Sequence, residues 1–188
     1  MEAFFISAVV VALGELGDKT QLLALLLAVR FRKPVPIIAG ILVATLVNHA
    51  LAGIVGVWIS THLDPGVLRW AVGLSFIAIA VWALVPDKLD EKDAEPRTHA
   101  GVFVVTALAF FFAEIGDKTQ LATVALAARY ADLFAVVSGT TLGMLVADVP
   151  AVFVARRFAD RVPLKAARIV AACLFAAIGA ATLAGLTV

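Results

Sequence analysis

Glu15-Leu16-Gly17-Asp18-Lys19-Thr20-Gln21 recurs 99 residues later as Glu114-Ile115-Gly116-Asp117-Lys118-Thr119-Gln120, with only the Leu16/Ile115 position changed. Both copies sit inside long apolar stretches. Two carboxylates, a lysine and a glutamine in hydrocarbon are costly, so an intramembrane group of this kind marks a functional site by default. Its duplication points to one site assembled from both halves of the chain.

The apolar surroundings set the class. The chain has 188 residues, 63% of them hydrophobic, and a mean hydropathy of +1.04. A soluble domain is nearer half apolar, so lipid is the solvent for much of this surface. The net charge of +1 offers nothing to a nucleic-acid partner. The lone cysteine, Cys173, has no internal disulfide partner and reads as a small buried hydrophobe. The N-terminal apolar run has no basic region before it and continues through the charged motif, which predicts a retained helix and not a cleaved leader.

Six apolar segments can be marked, at 4–29, 35–60, 67–86, 101–128, 133–155 and 169–187. Each approaches or exceeds the roughly 20 residues that cross a ~30 Å hydrocarbon core. The expected fold class is therefore an all-α membrane protein of six transmembrane helices. The loops after the first, third and fifth segments carry Arg30, Arg32, Lys33, Lys88, Lys92, Arg97, Arg156, Arg157, Arg161, Lys165 and Arg168. Those after the second and fourth carry only Arg69 and Arg129. The positive-inside bias places the first group in the cytoplasm and both termini outside.

The 99-residue register extends beyond the motif without a gap: Phe4 matches Phe103, Arg30 matches Arg129, Arg69 matches Arg168 and Phe76 matches Phe175. The expected organisation is a first three-helix repeat at 1–86, a charged cytoplasmic linker at 87–99 and a second repeat at 100–188. Three crossings are an odd number, so the second repeat enters the membrane from the opposite side. That is the inverted-repeat architecture of many secondary transporters, with the site at the repeat interface near the midplane. Glu15 lies eleven residues beyond Phe4, or about 16 Å along a helix. Glu114 lies thirteen beyond Gly101, or about 20 Å. Both acids thus approach the midplane, from opposite faces.

Within each motif Glu and Asp are three apart and share one helical face. Gly17 and Gly116 permit either close approach of a second helix or local unwinding. If the motif helices face each other, Glu15, Asp18, Glu114 and Asp117 converge. Four carboxylates without counter-charge would not all stay ionised in a dry cavity, so some hold protons until a divalent cation displaces them. Competition between metal and protons is the minimum physics of a cation/proton exchanger. The candidate metal ligands are Glu15, Asp18, Gln21, Glu114, Asp117 and Gln120, with Thr20, Thr119, Lys19, Lys118 and Asp148 as accessory candidates. This all-oxygen set suits Ca²⁺, Mn²⁺ or Mg²⁺, and Mg²⁺ is the most reluctant of these to shed its waters. The absence of a Cys/His cluster argues against zinc or copper.

Lys19 and Lys118 have two readings: each pairs with a carboxylate and holds the empty site together, or each points into a polar crevice. Neither can ligate a metal. The whole motif also has a structural reading, an ion-pair network that clamps two helices. Asp148, before Pro150, is a candidate proton relay or extension of the cation path, and its register partner is His49. Asn48 and His49 are expected to make interhelical hydrogen bonds. Ser138, Thr140, Thr141 and Gly143 read as small-residue helix packing.

Paired Glu-x-Gly-Asp-Lys/Arg-Thr/Ser motifs in a small six-helix chain resemble the Gdt-type cation/proton exchanger family, which includes Golgi calcium/manganese transporters and bacterial manganese exporters. The resemblance covers the whole chain. It implies exchange of Mn²⁺ or Ca²⁺ for H⁺, with Glu15, Asp18, Glu114 and Asp117 as the cation site, no prosthetic group and no enzymatic activity. Eukaryotic members carry additional N-terminal sequence, so the expected location is a bacterial inner membrane. Loading from the cytoplasm and release outside follow from an inward proton gradient. Two other function classes remain. One is an exporter of amino acids or small organic cations built on the same acids. The other is an intramembrane aspartyl protease, for which Leu16-Gly17-Asp18 lacks the glycine required where Glu15 stands.

Overall fold

The computed structural model describes residues 1–85, 101–154 and 164–186. The 87–99 linker and the arginines at 156–161 lie outside the described residues. Among the described residues the chain is all-helical, with eight helices and no strand. They are α1 (Glu2–Glu15), α2 (Lys19–Phe31), α3 (Pro34–His62), α4 (Pro65–Ala83), α5 (Val102–Glu114), α6 (Lys118–Tyr130), α7 (Leu133–Val154) and α8 (Leu164–Leu183).

Two of the apolar segments expected as single helices are each broken in the middle. Segment 4–29 becomes α1 and α2, and segment 101–128 becomes α5 and α6. The break falls on the motif glycines, at φ 81° for Gly17 and 75° for Gly116. L-residues rarely adopt that left-handed conformation, and glycine reaches it without a Cβ penalty. Of the two roles open to these glycines, local unwinding is the one observed.

The repeat is visible in the elements themselves. The starts of α1 to α4 recur in α5 to α8, 99 residues on to within one residue. Both α2 and α6 end in a left-handed cap, Arg32 at φ 55° and Ala131 at φ 51°, again one register apart. Pro34 and Pro65 open α3 and α4, where the missing N–H has no intrahelical partner to lose.

The halves pack by exchange. Helix α1 lies mainly on α7, and α5 mainly on α3, while α4 and α8 pair with each other. Glycines allow the close crossings. A Cβ at Gly139 would stand 2.4 Å from the Phe4 carbonyl oxygen, and one at Gly40 would stand 2.9 Å from the Phe103 carbonyl oxygen. Gly40/Gly139 and Phe4/Phe103 are both register pairs, so one contact is built twice. Gly143 presses likewise on the α1 backbone, 2.4 Å from the Ala8 oxygen. Two apolar clusters fill the interior, one around Phe76, Leu126 and Phe175, the other around Leu23, Ile41, Phe110 and Met144.

Large apolar side chains also cover the outside: Phe112, Phe153, Val146 and Trp58 are all exposed. Three helices, Pro34–His62, Pro65–Ala83 and Leu133–Phe153, are long and apolar enough to cross a membrane, and Val102–Glu114 and Arg168–Leu183 are shorter apolar helices. Cys173 corrects its expected burial. It is exposed, because it sits on the face of α8 opposite the buried Ala171, Ala172 and Phe175.

Candidate functional site

The two breaks bring the motifs together. Glu15 is the last residue of α1 and Glu114 the last of α5. After each comes an extended residue (Leu16 at φ −60°, ψ 108°; Ile115 at φ −61°, ψ 119°), then the left-handed glycine. An extended aspartate follows, and the next helix begins at the lysine. The Asp18 amide still bonds to the Glu15 carbonyl at 2.9 Å, and the Asp117 amide to the Glu114 carbonyl at 3.1 Å. Ending a helix here leaves last-turn carbonyls without intrahelical donors and places the partly negative C-terminus of α1 and of α5 beside the acids.

Each break is braced by its own glutamine. The Gly17 N–H donates to Gln21 Oε1 at 2.9 Å, and the Gly116 N–H to Gln120 Oε1 at 2.8 Å. Gln21 Nε2 also donates to the Ala147 carbonyl in α7 at 3.1 Å. The amide oxygens expected as metal ligands are therefore engaged with the backbone. The threonine hydroxyls turn to the glutamates: Thr20 donates to Glu15 Oε2, and Thr119 to Glu114 Oε2 at 3.3 Å.

Carboxylate oxygens of Glu15, Glu114 and Asp117 lie within 4.8 Å of one another, and all three residues are buried. This is the spacing at which one cation can touch all three, and both repeats contribute. Glu15 Oε1, Glu114 Oε1 and Asp117 Oδ2 make no hydrogen bond among the described residues. Such atoms are expensive to bury without a partner. Asp18 stands beside this trio and not within it, its Oδ1 2.9 Å from Lys118 Nζ.

The lysines pair across the repeats. Lys118 reaches Asp18, and Lys19 reaches Asp117 at 3.4 Å. Of the two sequence readings, carboxylate pairing is the one observed, but the partner is the other half's aspartate. The break makes this crossing possible, because each lysine starts a new helix with a new axis.

Helices α3 and α7 close the site. His49 is fully buried, with Nε2 3.9 Å from Glu114 Oε2, and neither ring nitrogen makes a hydrogen bond among the described residues. The interhelical bond expected of His49 is thus absent among the described residues, whereas Asn48 Nδ2 makes one to the Phe111 carbonyl at 3.1 Å. Asp148 is fully buried within electrostatic reach of both Glu15 and Glu114, and neither of its oxygens is hydrogen-bonded among the described residues. Five buried acids thus gather at the two breaks, beside the two lysines. Such a site holds an excess of negative charge that protons or a divalent cation can neutralise.

Comparison with known proteins agrees with this chemistry. The sequence profile of the divalent cation/proton antiporter GDT1 family matches residues 3–91 and 102–187. The chain is 52% identical over 183 residues to a Vibrio cholerae protein named "Putative manganese exporter", covering 97% of this chain and 90% of that one. It is 28% identical to "GDT1-like protein sll0615" of Synechocystis, covering 93% of each chain. It is 27% identical to "GDT1-like protein 3" of Arabidopsis thaliana, covering 93% of this chain and 68% of that one. No solved structure matches. This multi-pass membrane protein belongs to the divalent cation/proton antiporter GDT1 family.

Proposed function

We propose that the protein exports Mn²⁺ from the cytoplasm in exchange for protons, with Ca²⁺ as the second candidate cargo. The convergence of Glu15, Glu114 and Asp117 within 4.8 Å carries this reading. In it, those acids and Asp18 are the cation ligands, the Thr20 and Thr119 hydroxyls complete an oxygen-only shell, and Gln21 and Gln120 hold the breaks open. Oxygen donors suit Mn²⁺ and Ca²⁺, and the name of the Vibrio cholerae relative favours manganese.

The mechanism is neutralisation by turns. When the acids hold the metal they release protons, and when they take up protons the metal leaves. In this reading the halves are inverted repeats, each crossing the membrane three times, with α1 plus α2 and α5 plus α6 acting as broken spans. The elements recurring at 99 residues and the α1–α7 and α5–α3 exchange support it. Helix α1, of 14 residues, is about 21 Å long, so a chain entering at one face reaches its break well inside the bilayer. Rocking of one half against the other would expose the site to each side in turn. An inward proton gradient then drives metal outward. In this reading the export crosses an inner membrane with both termini outside, an orientation that the basic loops favour.

Reconstitution into liposomes containing a pH-sensitive dye tests the proposal, with Mn²⁺, Ca²⁺, Mg²⁺ and lysine added in turn. The expected result is proton movement coupled to Mn²⁺ and lost in Glu15→Gln and Glu114→Gln, both still folded. Normal metal flux in either variant, or metal flux indifferent to the pH gradient, overturns it.

A further inference from the structure

The lysines are the part of the motif that a cation site does not explain. An ammonium cannot ligate a metal, and it repels one. Yet each half places a lysine next to the acids it shares with the other half. Lys118 is 2.9 Å from Asp18, with both side chains almost fully buried. Lys19 is 3.4 Å from Asp117, one of the three converging acids, and its side chain is 24% exposed.

We propose that Lys118 and Lys19 are tethered counter-cations that hold Asp18 and Asp117 in the metal-free protein and compete with the incoming divalent cation for them. This rests on the cation-exchange reading of the site. Without the lysines, an empty site would gather uncompensated carboxylates in low dielectric, a costly arrangement. With them, the empty site is held together, and the metal must displace an ammonium to win an aspartate. The bound state is weakened to the extent that the empty state is stabilised. A transporter needs this, since a cargo held too tightly is not released.

The two pairs are unequal. The Lys118–Asp18 pair is shielded from water, so its charges act at full strength. Lys19 is partly solvated, and Gly116, which precedes its partner Asp117, is exposed with open space beside it, whereas Gly17 is buried. Lys19–Asp117 is therefore the looser strap on the more open side of the site, and Lys118–Asp18 the tighter strap on the closed side. The ranking that follows is a larger effect for Lys118 than for Lys19.

The test is Mn²⁺ titration of purified protein by calorimetry at alkaline pH, beside Mn²⁺/H⁺ exchange in liposomes. Lys118→Gln is expected to bind Mn²⁺ roughly tenfold tighter, because a like charge beside the ion is gone, and to exchange it more slowly. Lys19→Gln should shift both readouts the same way by less, and Lys118→Arg should restore wild-type binding. A purely structural lysine predicts the opposite sign, weaker binding together with weaker transport, and that result, or unchanged binding, overturns the proposal. If Lys118→Gln does not fold, Lys19→Gln decides by the same criterion. Wild-type protein that fails to bind Mn²⁺ overturns instead the functional reading beneath it.

Discussion

Gly116→Ala isolates the helix break from everything else at the site. Gly116 has φ 75°, and a Cβ there would meet nothing within 4 Å. The cost of the methyl group is therefore conformational alone, about 1–2 kcal/mol for an L-residue in the left-handed region. The bonds that hold the turn, Gly116 N–H to Gln120 Oε1 at 2.8 Å and Asp117 N–H to Glu114 O at 3.1 Å, remain available to alanine. A bias of that size shifts the balance between broken and continuous forms about 5- to 30-fold. A continuous α5–α6 helix would carry Asp117 away from Glu15 and Glu114. Thermal unfolding in detergent should fall by about 2–4 °C per kcal/mol for a chain of this size, and Mn²⁺ exchange in liposomes should fall with it. Gly116→Asn, whose side chain tolerates the left-handed region, should lose less of both. Gly66→Ala is the control, since a Cβ there also meets open space and its φ is not left-handed. Alanine at 116 behaving like alanine at 66, in both assays, would refute the argument that the break assembles the site.

Three further outcomes are expected. Gly139→Ala should destabilise more than Gly40→Ala, by about 1–3 kcal/mol in this overpacked setting, because its Cβ would lie 2.4 Å from the rigid Phe4 carbonyl oxygen against 2.9 Å from that of Phe103; comparative thermal melts check the ranking. Gln21→Leu should cost more than Gln120→Leu, since Gln21 serves the buried Gly17 N–H and the Ala147 carbonyl, while water can replace Gln120 at the exposed Gly116. The difference should reach about 1–3 kcal/mol, the cost of an unsatisfied buried group, in denaturant titrations. Asp148→Asn should keep or raise the melting temperature, because no hydrogen bond among the described residues is lost and a buried carboxylate is removed, while the exchange rate falls; unchanged exchange would remove Asp148 from the pathway.

The sequence by itself determined the repeat, its register and the candidate acids. These follow from identity at a fixed offset and from the high cost of charge in hydrocarbon, neither of which needs coordinates. It also narrowed the glycines to two roles without choosing, since freedom at φ is a permission and not an instruction. The tertiary structure made the choice, and much else followed. Once α1 and α5 stop at their glutamates, the glutamines turn to the glycine amides, and the lysines, on new axes, cross to the aspartates of the opposite half. The approach of Asp148 and His49 to the site was likewise decided by the packing of α7 on α1 and α3 on α5. Helical periodicity describes neighbours along one axis, and these partners belong to different axes, brought together only by the fold.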